Sequence, residues 1–325
     1  MQTAGNSANV FVVIPNQNGI NHLSYSLPSL AKSTYLNYQI LLVDDLSTDD
    51  SLNFVGMHYP GVKVLTNDRA RGFAGAVNTG IAYALAHGAD YIAIYNNDIK
   101  VMPRWMEIAL DIFHKQSNAG LVGYTEIRRE KEILFYNSKN LIDKIEYKNV
   151  IALPGCLYLC PARVFRHIGL FDEEYFMYGE DNDYFHRLME AGYLIIQTNA
   201  PVWHYGEGSS GSLEMQRLIT ICIYRNLLRF AVKNCDFYQI ILTLAKITGY
   251  ALLPRWFWRN KLDNGSVNRL VRFNFGFRCK CLINSVLFNM VNVQATKRAK
   301  LKEQEWIRGH SDALASHRTA EGCRL

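Results

Sequence analysis

Short apolar runs, each cut off by Asn, Asp or Gly, punctuate the first third of the chain. Asn9 to Pro15 (Asn-Val-Phe-Val-Val-Ile-Pro) shows no polar alternation, which predicts a strand buried on both faces and ending at Pro15. Tyr38 to Val43 repeats the pattern, Val62 to Leu65 gives a shorter third strand, and Tyr91 to Tyr95 a fourth. Between them the period turns helical. Asn21 to Lys32 forms a first helix. Ser47 or Thr48 caps a second, with Asp49 and Asp50 in its first turn. A glycine-rich stretch from Arg69 to Gly80 opens a third helix, which continues through Ile81 to His87 and stops at Gly88. This β-α-β-α-β-α-β order predicts an α/β fold: a doubly wound, mostly parallel sheet with a nucleotide-sized crevice at the strand carboxyl ends.

The pattern continues with a helix over Met102 to Gln116, Pro103 near its start, and a strand over Ala119 to Tyr124. Residues 125–150 are polar and aromatic and suggest an excursion over the cleft. Pro154 to Leu159 is a further strand, in which Gly155 signals close approach of a ligand or backbone. Pro161 to His167 is a short helix, another helix starts near Glu180, and Tyr193 to Gln197 is a strand. From Leu213 the periods are helical. These shifts divide the chain into residues 1–212, with halves near 9–101 and 102–212, and a helical region 213–325.

Candidate chemistry lies where the runs stop. Asn96-Asn97-Asp98 follows the Tyr91–Tyr95 run. A turn explains these residues as well as a ligand site does. A carboxylate buried there, however, needs a cation or hydrogen bonds, and a divalent metal on a nucleotide diphosphate would supply the former. Asp44 and Asp45 end the second strand. Arg69 or Arg71, with the small residues after them, would suit a phosphate at a helix start. The stretch is neither a Gly-x-Gly-x-x-Gly fingerprint nor a P-loop. Glu180, Asp181 and Asp183 fall in a first helical turn, where acids favour the macrodipole. They also crowd beside aromatic residues that would raise a carboxyl pKa, so one of them is a candidate general base. His204 follows Trp203 and precedes a Gly/Ser loop. A packed histidine is the commoner reading, but with Asp98 it would suit Mn²⁺ or Mg²⁺ bound through a diphosphate.

Nearly half of the 325 residues are apolar and charge is moderate, which excludes a disordered chain and allows a sizeable core. The first nine residues are polar, so no secretory leader is expected there. Seven cysteines form no Cys-x-x-Cys pair, and Cys156/Cys160 and Cys279/Cys281 have no nearby companions for a zinc site, so reduced thiols are expected. The net charge of +6 is unevenly placed. Residues 1–214 hold 16 Lys and Arg against 23 Asp and Glu, a balance of −7; residues 215–325 hold 19 against 6, a balance of +13. Such a basic region suggests an anionic partner.

Seven pieces now stand in order: Val12-Val13-Ile14-Pro15-Asn16, Leu42 to Asp49, Gly72 to Gly80, Asn96-Asn97-Asp98, Phe171-Asp172-Glu173, Glu180 to Asp183, and Trp203-His204. This set, over about residues 9–230, resembles the inverting family-2 glycosyltransferases, and within them a bacterial rhamnosyltransferase-like branch. The resemblance implies a GT-A nucleotide-diphospho-sugar transferase fold, Rossmann-like with helices on both faces of the sheet. It implies that Pro15, Asp44 and Asp45 hold the base and ribose of a UDP- or dTDP-sugar. Arg71, Gly72 and Asn78 would line the nucleotide side, and Asn16, Asn96 and Asn97 belong to the same donor-binding set. Asn96-Asn97-Asp98 stands where the family has Asp-x-Asp, so Asp98 would bind Mn²⁺ or Mg²⁺ and His204 would assist. Asp181 would be the base, with Glu180 and Asp183 beside it. An amide at Asn96 replaces the first acid and leaves fewer charges for the metal. The implied activity is inverting transfer of rhamnose or a similar hexose to a glycan or polyprenyl-diphosphate-linked acceptor in cell-surface polysaccharide synthesis. The competing reading is a non-catalytic nucleotide-sugar binder or scaffold on the same fold.

In the basic region, Leu213 to Val232 alternates Arg217, Arg225 and Arg229 with apolar residues, and Tyr224-Arg225-Asn226 is shared with the resembling branch. Neither Phe237–Leu253 nor Cys281–Thr296 is long and clean enough to span a bilayer. Leu253-Pro254-Arg255-Trp256-Phe257-Trp258-Arg259 mixes aromatics with Arg, as a bilayer interface favours. The expectation is a cytoplasmic protein, peripheral at the inner face of the membrane. Packing on a second copy, as a homodimer, is the alternative. No nucleic-acid motif is present, so no nucleic-acid partner is expected. From Lys297 the sequence turns polar, which predicts a frayed end.

Overall fold

The computed structural model describes residues 8–130, 145–206, 212–261 and 265–321. The chain divides into two units, Met1–Glu173 with Tyr184–Gly208, and Glu174–Asp183 with Ser209–Leu325.

The first unit is built on one sheet. Strands β1 (Val10–Asn16), β2 (Tyr38–Asp44), β3 (Lys63–Thr66) and β4 (Tyr91–Tyr95) lie in the order β3-β2-β1-β4, all parallel. Helices α1 (Ile20–Leu30), α2 (Ser51–His58) and α3 (Gly72–Ala86) are the crossovers. Every residue of β1 is buried, as an uninterrupted apolar run requires of a strand covered on both faces. The register sets Asn16 opposite Asp44, so the polar ends of β1 and β2 share one rim. α3 approaches the sheet closely through its small residues: a Cβ at Gly80 would collide with the Val13 and Val43 side chains.

Beyond β4 the sheet is mixed. β8 (Leu157–Pro161) joins β4 antiparallel, and β6 (Ala119–Ile127) joins β8 antiparallel. β9 (Leu194–His204) runs parallel to β6, while β5 (Ile99–Val101) and β7 (Tyr147–Val150) are antiparallel to β9. The parallel sheet that the apolar runs predict is therefore its first half. Only Asn96, Asn97 and Asp98 separate β4 from β5, far too few for the crossover that a parallel neighbour needs. Helix α4 (Trp105–Lys115) buries Trp105, Met106, Ala109 and Ile112 against this half. The Trp105 indole donates to Ser33 Oγ at 2.9 Å, and the Tyr124 hydroxyl donates to the Trp105 carbonyl at 2.6 Å.

Several boundaries differ from expectation. α2 begins at Ser51 and neither Ser47 nor Thr48 caps it. Ser47 Oγ instead accepts from the Asn18 N–H at 2.8 Å, and Asp49 accepts from the Ser51 N–H at 3.1 Å. β8 starts at Leu157, so Pro154 and Gly155 precede it, consistent with a proline having no N–H for a ladder. β9 runs on through Pro201 to His204, helped by a register shift against β6 between Gly123 and Thr125. The expected excursion at 125–150 begins and ends in strands β6 and β7, and its residues 131–144 lie outside the described residues. Of the Gly/Ser loop after His204, residues 207–211 also lie outside them. α5 (Ala162–Ile168) leads to a 3-10 turn at Glu173–Tyr175, and α6 (Glu180–Glu190) contributes its first turn to the second unit.

The second unit holds α7 (Leu213–Asn234), α8 (Phe237–Leu252), a 3-10 stretch Arg255–Lys261, α9 (Gly265–Val271) and α10 (Phe275–Glu321). Its core joins Ile219, Ile223, Tyr224 and Leu228 of α7 with Ile247, Tyr250 and Ala251 of α8 and Cys281 of α10. The frayed end expected from Lys297 is instead helix to Glu321. Buried polar bonds hold it there: Arg229 donates to Thr296 Oγ1 at 3.0 Å, and Lys233 pairs with Glu303 at 2.7 Å. No helix among the described residues is long and apolar enough to cross a membrane.

Candidate active site

Asp98 sits between β4 and β5 and is 7% exposed. Pairing of β5 with β9 sets Ile99 opposite His204 and so brings the imidazole to the aspartate. His204 Nε2 lies 3.3 Å from Asp98 Oδ1, and Nδ1 lies 2.9 Å from Glu126 Oε1 on the neighbouring β6. Burial alone would drive a proton off His204, but its bonds to Asp98, Cys156 and Glu126 outweigh that and push its pKa up to about 12. Burial alone would likewise raise the Asp98 and Glu126 carboxyls. The His204 partner outweighs it and holds both below the usual range. The Gly206 N–H adds a bond to Asp98 Oδ2 at 3.3 Å. Gly206 has φ +73°, and a Cβ there would strike the Arg128 guanidinium, so the position demands glycine twice over.

The donor set fits a divalent cation. Glu126, Cys156 and His204 offer ligand atoms all within 4.8 Å of one another, with Asp98 on the other side of the imidazole. The buried Asp98 carboxylate, the partly buried Glu126 carboxylate and one imidazole suit Mn²⁺ or Mg²⁺. The Cys156 thiol, raised by burial, stays protonated and is the soft member of the group. Its spacing from other cysteines had promised no companions; the companions come from other strands.

The expected donor-binding residues gather at the carboxyl ends of β1, β2 and β4. Pro15 is buried in β1. Asn97 Nδ2 donates to Asn16 Oδ1 at 2.9 Å, and Asn16 Nδ2 faces Asp44 Oδ1 at 3.4 Å. Asp44 also accepts from the Ser47 N–H at 3.0 Å. The Asn96 N–H donates to the Cys156 carbonyl at 2.9 Å, while its Oδ1 is buried with no hydrogen-bond partner among the described residues. Asp45 is engaged within the fold. Its carboxylate accepts from Asn67 Nδ2 and from the N–H groups of Arg71 and Gly72, at 2.8, 2.9 and 2.9 Å, and so caps the start of α3. Asn78 is engaged too: its amide bonds the Phe171 backbone in both directions, at 2.9 and 3.0 Å, and fastens that segment to α3. Arg71 forms a two-pronged ion pair with Glu173, at 2.6 and 2.8 Å.

The second unit sorts the three acids at the start of α6. Asp183 is fully buried and engaged by Lys233 and Asn234 at 3.0 Å each, and by the Tyr175 hydroxyl at 3.3 Å. These bonds anchor it within the fold. Glu180 is 4% exposed, and burial followed by the adjacent Asp181 raises its carboxyl well above the ordinary value. Asp181 is half-buried. The loop before it is strained: Phe176, Tyr178 and Gly179 have φ of +61°, +63° and +104°. Asn226 Nδ2 holds that loop by facing the carbonyls of Tyr175, Met177 and Tyr178 at 2.8, 2.9 and 2.6 Å, and Arg225 adds Tyr175 at 3.0 Å.

The pattern of the sequence missed Glu126, Asn67, Glu173 and the role of Asn226. For Glu126 a signal exists, since it lies just past a predicted strand end, as Asp98 does. Glu173 and Asn226 lie in stretches the sequence singled out without a role, and nothing local marks Asn67.

Comparison with known proteins follows from this geometry. Residues 11–171 match the profile of Glycosyl transferase family 2. The chain is 27% identical to the N-acetylglucosaminyl-diphospho-decaprenol L-rhamnosyltransferase of Mycobacterium tuberculosis (strain CDC 1551 / Oshkosh), over 58% of this chain and 74% of that protein. It is 30% identical to the UDP-Glc:alpha-D-GlcNAc-diphosphoundecaprenol beta-1,3-glucosyltransferase WfgD of Escherichia coli, over 38% of this chain and 49% of that one. In fold it is similar to the mannosyltransferase PcManGT from Pyrobaculum calidifontis, solved with GDP-Man and Mn²⁺, at a TM-score of 0.54 and 15% identity over 88% of each chain. It is also similar to GalNAc-T7, solved with UDP, GalNAc and Mn²⁺, at a TM-score of 0.51 and 18% identity over 70% of this chain and 50% of that one.

Proposed function

For a chain that is a family-2 glycosyltransferase of the GT-A fold, we propose transfer of a hexose, rhamnose or one like it, from a nucleotide-diphospho-sugar to a sugar hydroxyl on a polyprenyl-diphosphate carrier. The observation that carries the reading is the buried Asp98 at the end of β4, paired with His204 at 3.3 Å on the rim that also holds Asn16, Asp44 and Asn97. The relatives named for lipid-diphosphate acceptors support the acceptor class.

Asp98 and His204 would hold Mn²⁺ or Mg²⁺, which when bound neutralises charge on the departing diphosphate. Asp181 takes the proton of the acceptor hydroxyl. That oxygen attacks the anomeric carbon from the face opposite the diphosphate, whose bond to carbon breaks as the new one forms, giving inversion. Asn16, Asp44 and Asn97 orient the donor.

The carrier lipid places the work at a membrane surface, which we include in the proposal. The outward side of α8 exposes Tyr238, Ile241 and Leu242, and the stretch after it exposes Trp256 and Phe257 beside Arg255. Apolar and aromatic side chains with interleaved cations suit an anionic bilayer face.

The test of the transferase reading is thermal shift with UDP-, dTDP- and GDP-sugars, with and without Mn²⁺. A metal-dependent rise with one nucleotide series, lost in Asp98→Ala, is expected. No shift with any series would overturn it in favour of a scaffold.

A further inference from the structure

We infer that Glu126 is a positioning residue for cation binding, supplying the negative charge that Asn96 does not. The inference rests on the metal-dependent transferase reading above and adds a residue to it. An imidazole binds a cation through one nitrogen, and the bond at the other nitrogen fixes its tautomer and ring plane. His204 is held from both sides. Nδ1 is 2.9 Å from Glu126 Oε1, so Nδ1 carries the hydrogen and donates it, and Nε2, 3.3 Å from Asp98, is the nitrogen turned toward the aspartate. A cation that displaces the Nε2 proton would meet a nitrogen lone pair and a carboxylate oxygen together.

The second strand of the argument is charge. Cation affinity at oxygen sites follows the number of carboxylates. Asn96 brings an amide where a second acid would stand near Asp98, and its Oδ1 is buried without a bond among the described residues. Glu126 returns one negative charge to the same group from a different strand. It is held in place: Arg128 pairs with it at 2.7 Å and also reaches the Tyr205 carbonyl at 3.4 Å, at the turn whose Gly206 N–H bonds Asp98. The charged and titratable groups around His204 are thus Asp98, Glu126 and Cys156, with Arg128 behind Glu126 and His22 acting on Asp98.

The experiment is Mn²⁺ binding to the full chain by electron paramagnetic resonance, with and without UDP, at one pH. Glu126→Ala is expected to weaken Mn²⁺ by about 10- to 100-fold. Glu126→Gln, which keeps an acceptor for Nδ1–H but loses the charge, should fall between it and the parent. Metal-free UDP binding should stay at the parent value, which a merely structural role would not leave untouched. Parent-like Mn²⁺ affinity in both Glu126 variants, with binding lost in Asp98→Ala, would overturn this inference and leave the transferase reading intact. Parent-like affinity in Asp98→Ala would remove the metal site itself, and the role of Glu126 with it. Should Glu126→Ala not fold, the isosteric Glu126→Gln decides alone, by a drop or by none.

Discussion

Asp181, Asp183 and Glu180 lie within one helical turn, yet they differ in burial and in partners. Asp181→Asn is expected to abolish transfer while nucleotide-induced thermal shift survives; unchanged turnover would end its assignment as base. Asp183→Ala strips a partner from Lys233, which is itself fully buried. Removing one member of a buried pair costs about 3 kcal/mol, with Glu303 left as a remaining partner, and denaturant melts should show that loss. Glu180 carries the pH dependence. Its folded pKa is raised, so its full contribution to stability is present below the unfolded carboxyl value and is lost as pH rises toward the folded value. Glu180→Gln, which mimics the protonated form, should therefore gain more in melting temperature at pH 8 than at pH 5. Equal gains at both would show the carboxyl to be ionised throughout. Asp98 stood out in the sequence because a polar residue at the end of a buried apolar run has no packing reason to be there, and His204 because it follows Trp203 and precedes a Gly/Ser loop. Glu126 was not, since the predicted strand stopped at Tyr124 and its partner His204 lies 78 positions on.

Elements explain which polar residues are held by the fold and which are available to a ligand. Asp45 looks like a donor-binding acid in sequence, and in space it caps α3 through the Arg71 and Gly72 N–H groups and also accepts from the Asn67 side-chain amide. Asp45→Ala should cost about 1 kcal/mol, as the loss of a helix cap does, and a melt that does not move would free the residue for a direct donor role. Tyr224-Arg225-Asn226 is a similar case. As a motif it carried no assignment; in α7, Asn226 fastens the loop in which two aromatic residues adopt left-handed backbone. Each such residue stores about 1–3 kcal/mol and persists only where neighbours enforce it. Asn226→Ala is expected to lower turnover far more than nucleotide affinity, because it releases the segment that carries Asp181. Equal losses in both would point to general unfolding instead.

At the scale of the molecule, the acidic first part and the basic remainder lead to different partners. The balance of +13 over residues 215–325 comes with exposed Tyr238, Ile241, Leu242 and Trp256. The full chain is expected to sediment with anionic vesicles but not with neutral ones, and Trp256→Ser combined with Ile241→Ser should release it. Displacement by heparin or DNA from those vesicles, with retention of nucleic acid, would favour a polyanion partner. Concentration-dependent dimerisation without vesicle binding would favour a second copy.

The sequence by itself determined the order of elements, the parallel first half of the sheet, the polar rim at the ends of β1, β2 and β4, and the placing of charge. Each of these follows from local period or from composition, which the chain carries without folding. Tertiary structure alone decided that β5 would pair with β9 and set His204 against Asp98, that Glu126 and Cys156 would join them, and that α10 would stay helical past Lys297. Those outcomes depend on which strand edges and buried polar groups remain unpartnered once the local elements exist. A buried donor or charge must find its partner wherever the chain supplies one, and no local pattern records where that is.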